Sequence, residues 1–143
     1  MGKKRIVKQG TGGQEGKESG AGARAVKRNI ASAILYVEST YNNTRLTLSD
    51  PKGNALTWSS SGSLGFKGAK KGTPFAAAKV GEVLAERAVG MGVKEVQVIV
   101  RGIGSGRESS IRGFVSKGIV ISTIKDVTPI PHNGPRPPRP RRV

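Results

Sequence analysis

Three lysines, Lys67, Lys70 and Lys71, fall within Gly65-Phe66-Lys67-Gly68-Ala69-Lys70-Lys71-Gly72-Thr73-Pro74. Glycines let a backbone approach a phosphate closely. Thr73-Pro74 reads as the cap and first residue of a helix, whose free N–H groups point at an anion. The chemistry on offer is phosphate contact. A nucleotide-binding P-loop needs Gly-Lys directly before Ser or Thr, and the order Lys71-Gly72-Thr73 does not supply it. A second glycine loop, Gly102-Ile103-Gly104-Ser105-Gly106-Arg107, follows an apolar run and opens another helix. A dinucleotide fingerprint would place its third glycine where Arg107 stands, and the only acid near the required spacing, Asp126, borders a Pro-rich tail. Backbone amides together with Arg107 and Arg112 suit an RNA phosphate cluster better.

Catalytic chemistry has little to stand on. Asp50, Glu108 and Asp126 are the carboxylates that a two-metal nuclease would have to gather. Each has a structural reading: Asp50 precedes Pro51 in a turn, Glu108 favours a helix N-terminus, and Asp126 borders the basic tail. The chain has no Cys and one His. Thiolate zinc sites, Cys nucleophiles and His-pair metal sites are therefore excluded. No catalytic residue, metal site or cofactor is expected. His132 and Asn133, between prolines and arginines, read as hydrogen-bonding partners for RNA.

The charge points the same way. The 143 residues carry 25 Lys+Arg against 9 Asp+Glu, a formal net charge of +16. Such a surplus repels itself and suits a polyanion. Residues 1–28 hold eight bases and two acids in a Gly-rich stretch without apolar periodicity, and read as a flexible basic tail. Residues 129–143 hold Arg136, Arg139, Arg141 and Arg142 without an acid, among prolines that enforce an extended, polyproline-like chain. Basic arms of this kind hold nucleic acid. The start lacks the apolar stretch of a secretory signal, and no apolar run approaches a membrane span of about 20 residues. A soluble intracellular protein is the expectation.

Residues 29–128 must then form the domain that positions these groups. Ser32–Glu38 is β-branched and apolar, Tyr41-Asn42-Asn43 supplies a turn, and Arg45–Ser49 alternates with Leu46 and Leu48 inward. Asn42, Asn43 and Arg45 thus sit at a hairpin tip that can face RNA. After the turn at Asp50–Asn54, Ala55–Ser59 returns as a third strand with Leu56 and Trp58 on one face. A helix from Thr73-Pro74 to about Val89 buries Ala77, Val80, Leu84, Ala88 and Met91 and wets Lys79, Glu82 and Glu86. Gly81 costs helix propensity, which predicts close packing against the sheet. A strand over Lys94–Val100, a short helix over Glu108–Lys117 and a strand over Ile119–Ile124 complete the pattern. The fold class is α/β: a three-stranded antiparallel meander followed by α-β-α-β. The last two strands are expected parallel, in one mixed sheet with flanking helices and basic extended tails. Phe75 and Phe114 are expected in the core. Aromatics are too few for a single-strand stacking platform, and neither helix is basic along one face as a DNA-reading helix would be. Structured RNA read through its backbone fits better.

Six motifs stand in order: Asn42-Asn43-Thr44, Asp50 with Gly53-Asn54-Ala55-Leu56, Gly65-Phe66-Lys67-Gly68, Thr73-Pro74-Phe75-Ala76-Ala77, Gly104-Ser105-Gly106-Arg107-Glu108-Ser109, and Asp126 through Gly134. Through them the chain, from about residue 28 to its end, resembles the small-subunit ribosomal protein eleven family of the bacterial or organellar type. The resemblance implies a non-enzymatic structural component of the platform of the small ribosomal subunit, in cytoplasmic or organellar ribosomes. It implies contact with small-subunit ribosomal RNA near the messenger path at the exit-site side, beside platform proteins six, eighteen and seven. Members often carry Pro where Ile103 and Ser105 stand, and Cys where Pro135 stands. The rivals from other classes are a metal-dependent nuclease and a nucleoid-type DNA-packaging protein.

Overall fold

The computed structural model describes residues 30–140. The N-terminal basic stretch, Arg141 and Arg142 lie outside the described residues. The elements are β1 (Ser32–Ser39), β2 (Thr44–Ser49), β3 (Ala55–Ser60), a short 3-10 helix (Gly68–Gly72), α1 (Pro74–Gly90), β4 (Glu95–Arg101), α2 (Gly106–Val115) and β5 (Val120–Asp126). The five strands form one sheet in the order β3-β2-β1-β4-β5. β1, β2 and β3 are the antiparallel meander, and β4 pairs in parallel with both β1 and β5. The mixed α/β architecture is the one the alternating pattern predicts.

Alternation decides which face is buried. Ala33, Leu35 and Val37 of β1, Leu46 and Leu48 of β2, and Val96, Val98 and Val100 of β4 form one apolar layer. Val80, Leu84, Ala85 and Ala88 of α1 and Phe114 of α2 close over it. At about 25 cal/mol per Å² of apolar surface removed from water, each fully covered Leu or Val contributes roughly 1.5–3 kcal/mol. Both helices lie on this face, as two crossovers of the same hand moving along a sheet require. The opposite face carries Ile34, Tyr36, Thr47 and Ile99, all half-buried, and no helix.

α1 begins where Thr73 and Pro74 predict: the Thr73 hydroxyl accepts from the Ala76 N–H at 3.3 Å, and Pro74 is the first helical residue. It ends at Gly90 with Met91 as its cap, and Gly92 beyond the cap takes a positive φ of 84° while the Val93 N–H returns to the Ala88 carbonyl at 3.1 Å.

Two expectations need correction. Phe75 is 65% exposed, because it falls in the first turn of α1 beyond the reach of the sheet. It meets the Phe66 ring edge-to-face at 6.2 Å. Leu56 and Trp58 do not share an environment. A register shift beside Ser49 pairs Leu48 with Thr57 and Ser49 with Ala55, which leaves Leu56 as the extra residue of a bulge. Leu56 packs against the core, while Trp58 is 55% exposed on the edge strand.

Candidate nucleic-acid interface

β2 runs opposite to the other four strands. The ends of β1, β3, β4 and β5 and the starts of both helices therefore meet at one end of the sheet. Four segments emerge there: the β1–β2 turn with Asn42 and Asn43, the lysine segment 61–73, the glycine loop 102–105, and the tail from residue 127. Loops at the carboxyl ends of parallel strands are where open α/β sheets place ligand contacts.

Backbone contacts hold these segments together. The Gly104 N–H donates to the Ser39 carbonyl at 2.9 Å, and the Ser105 hydroxyl donates to the Gly72 carbonyl at 2.7 Å. The second bond ties the start of α2 to the residue preceding the cap of α1. A Cβ on Gly72 would overlap the Tyr41 carbonyl, and one on Gly104 would overlap the Thr40 carbonyl. Only glycine lets the lysine segment and the glycine loop lie this close to the turn. The turn is closed by the Thr40 N–H to the Asn43 carbonyl at 2.9 Å, and the Asn43 N–H donates to the Thr40 hydroxyl at 3.1 Å.

The result is two helix N-termini side by side, each with the partial positive charge of unpaired N–H groups. Lys67 caps the 3-10 helix and Lys70 and Lys71 lie in its last turn, which contains no acid. Lys67 and Lys70 are exposed and Lys71 is half-buried. Glu108 is the acid in the first turn of α2 and lies on the side of that helix that carries Ile111 and Val115, towards Ile124 of β5. Asn42 is exposed at the turn. Asn43 Oδ1 is buried with no hydrogen-bond partner among the described residues.

The remaining candidates sit elsewhere. Arg45 lies on the open face of the sheet, its guanidinium 5.9 Å from the Trp58 ring centroid. Arg112 is exposed in the last turn of α2, away from the glycine loop. His132, Asn133, Arg136 and Arg139 are exposed along a tail without helix or strand, and Asn133 has a φ of 57°. Arg107 is engaged within the chain: it pairs with Asp126 and donates to the Gly102 carbonyl. Hydrogen bonds from Thr128, together with Arg107, hold the Asp126 carboxyl far below the usual carboxylate range. The three carboxylates of the nuclease reading stand apart. Asp50 closes the β2–β3 turn at the far end of the sheet, its backbone carbonyl accepting from the Gly53 N–H at 2.9 Å. Among the described residues no three His, Cys, Asp or Glu cluster as metal ligands, and no helix is long and apolar enough to cross a membrane.

Sequence reasoning missed Arg101 and Ser105. Arg101 ends β4 in register with Glu38, which is itself in register with Arg45, so two cations flank one acid at this end of the open face. Its place as the last strand residue before a glycine loop was the available signal. The role of Ser105 rests on a contact 33 residues away, which no local pattern reveals.

A two-layer α/β domain with a cationic, glycine-shaped end and a basic proline-rich arm has the charge pattern expected of a small protein that meets a polyanion. The family described as Ribosomal protein S11 matches residues 33–142. Curated relatives described as small ribosomal subunit protein uS11 are 53% identical over 123 residues in Synechococcus sp. and in Synechococcus elongatus, and 51% identical over 123 residues in Thermosynechococcus vestitus. Each alignment covers 86% of this chain and 95% of the relative. The chain belongs to the ribosomal protein S11 family, and its role is that of a structural protein of the ribosome.

Proposed function

We propose that the loop end of the sheet binds small-subunit ribosomal RNA. The observation that carries this reading is the junction of the two helix N-termini with Lys67, Lys70 and Lys71 against the Asn42–Asn43 turn. The lysines neutralise phosphates while the helix ends and glycine backbone receive their oxygens. Asn42, exposed at the turn beside Asn43, suits the 2′-hydroxyls that distinguish RNA from DNA. Arg45 and Arg112 meet the phosphate backbone on either side. The tail, with His132, Asn133, Arg136, Arg139, Arg141 and Arg142, threads between RNA helices as an extended arm. This arrangement supports subunit assembly on the platform, near the messenger RNA exit path and beside proteins six, eighteen and seven. Residues 1–28 act as a further basic tail beside the domain of residues 29–128.

The absence of Cys from the sequence makes the polarity directly testable. A hydroxyl-radical source tethered to Ala69→Cys should cleave ribosomal RNA within assembled small subunits. The same source on Lys52→Cys, in the turn at the opposite end, should cleave it far less. Stronger cleavage from position 52 would overturn the assignment.

A further inference from the structure

The first residues of the C-terminal tail are fixed by a closed ring of hydrogen bonds. The Val127 N–H donates to the Val100 carbonyl at 2.9 Å, carrying the β4–β5 pairing one step past the strand. The Thr128 N–H and hydroxyl both donate to Asp126 Oδ1, at 2.9 and 2.6 Å. The same hydroxyl oxygen accepts from the Gly102 N–H at 3.2 Å and from Arg107 Nη1 at 3.3 Å. One donor and two acceptor positions are all that a threonine hydroxyl has, so Thr128 Oγ1 is fully satisfied. Arg107 completes the ring through Asp126 Oδ2 and the Gly102 carbonyl.

The ring joins three places in the sequence: the glycine loop after β4, the first turn of α2, and the exit of the chain from β5. Pro129 follows at once. It fixes its own φ and confines Thr128 to extended conformations. Pro131, Pro135, Pro137, Pro138 and Pro140 then keep the arm stiff. A stiff arm transmits the direction of its root, so an error at Thr128 grows along its length.

We infer that Arg107, Asp126 and Thr128 form a clasp that aims the C-terminal arm, and that Arg107 is a positioning residue rather than a phosphate ligand. The inference rests on the reading that the arm contacts RNA. Its benefit is pre-organisation: an arm already pointing along its bound path loses less freedom on binding. The exposure of the pair fits this role. Asp126 is about half exposed, where an ion pair alone adds little to fold stability, so the ring is better explained by what it orients.

Two measurements test the clasp. Thr128→Val removes the hydroxyl at nearly equal volume, and Thr128→Ser keeps it. In the free protein, spin labels on Val89→Cys of α1 and Ile130→Cys of the arm should give a narrow distance distribution. Thr128→Val and Asp126→Asn should broaden it, and Thr128→Ser should not. A distribution already broad in the parent, or unchanged by Thr128→Val, overturns the clasp whatever the arm binds. The second measurement is incorporation into reconstituted small subunits in competition with the unmodified protein. Thr128→Val and Asp126→Asn should lower incorporation on the order of tenfold in the full chain, from the added ordering cost. Neither should lower it further in a chain lacking residues 129–143. An equal loss in both chains overturns the positioning role. If deleting 129–143 costs nothing, the arm's RNA contact fails and the positioning role falls with it, while the spin-label result still decides whether the clasp exists.

Discussion

Gly81 on α1 lies directly against Ser110 on α2. A Cβ at position 81 would overlap the Ser110 carbonyl and come within 2.9 Å of the Phe114 backbone nitrogen. Gly113 returns the contact, since a Cβ there would come within 3.0 Å of Ala78 Cα. The helices thus touch backbone to backbone, and this spacing holds the two N-termini side by side. Gly81→Ala gains about 1 kcal/mol of helix propensity. The collision is with backbone that cannot rotate away, so overpacking of roughly 1–3 kcal/mol should prevail. We expect a lower urea midpoint at unchanged slope. A higher midpoint would show that the helices separate easily.

The same glycine shows how far the sequence could be read. Its low helix propensity marked a close approach, but the partner is the second helix and not the sheet, because propensity carries no direction. The strands and helices were legible because alternation and the Thr73-Pro74 start are local signals. Trp58 and Phe75 were harder: the first pairs with Thr47 on the open face while a one-residue bulge takes Leu56 off that face to the core, and the second lies a turn too early to reach the sheet. In the candidate site, the lysine segment, the Asn turn and the glycine loop were visible as separate motifs. Their convergence was not, because it depends on the direction of β2 and on Ser105 reaching Gly72. Arg107 was visible as a cation, but its pairing with Asp126 lies 19 residues further along the chain.

Salt should weaken RNA binding steeply. A protein that contacts about 6–10 phosphates loses roughly 10³–10⁵ in affinity between 50 and 200 mM salt on duplex DNA, and less on single strands. Replacing Lys67, Lys70 and Lys71 together with Gln should make the log–log salt slope shallower by about 2–3, at roughly 0.7–0.9 per lost phosphate contact. The three residues lie outside the core, so thermal stability should not change. Filter binding to small-subunit ribosomal RNA over a salt series checks this. An unchanged slope would remove the lysines from the interface.

Asp126 should stay ionised in acid. Its carboxyl accepts from the Thr128 hydroxyl and N–H and from Arg107, all of which favour the charged form and depress its pKa from the ordinary 3.8. A carboxyl whose pKa is lowered by folding contributes stability that is complete above the unfolded value. That contribution is lost as the pH falls through the folded value. The clasp should therefore be intact at neutral pH and still intact just below 3.8. Carboxyl carbon NMR checks this, with Thr128→Val moving the titration back towards the ordinary value. Titration at the ordinary value in the unsubstituted chain would mean that the ring is open in solution.

Cutting the chain after Thr128 should separate folding from assembly. Residues 129–140 are exposed and belong to no helix or strand, and the buried core lies entirely within residues 33–119. Their loss should change stability by no more than about 0.5 kcal/mol, as for surface changes away from special features. The deletion of residues 129–143 nonetheless removes four arginines and every proline beyond Pro74. Incorporation into small subunits should fall in competition with the full chain, most of all at low salt, where the lost phosphate contacts count for most. A chain cut after Lys125 loses Asp126 and Thr128 as well, which removes the Arg107 ion pair and the acceptor of the Gly102 N–H while leaving the Gly104 N–H on the Ser39 carbonyl. It should show faster amide exchange at Gly102 than the chain cut after Thr128, because the Gly102 N–H then has lost its acceptor. Equal exchange in the two chains would show that the loop holds itself in place without the tail. Undiminished incorporation of the chain cut after Thr128 would show that the subunit is entered through the lysine end alone.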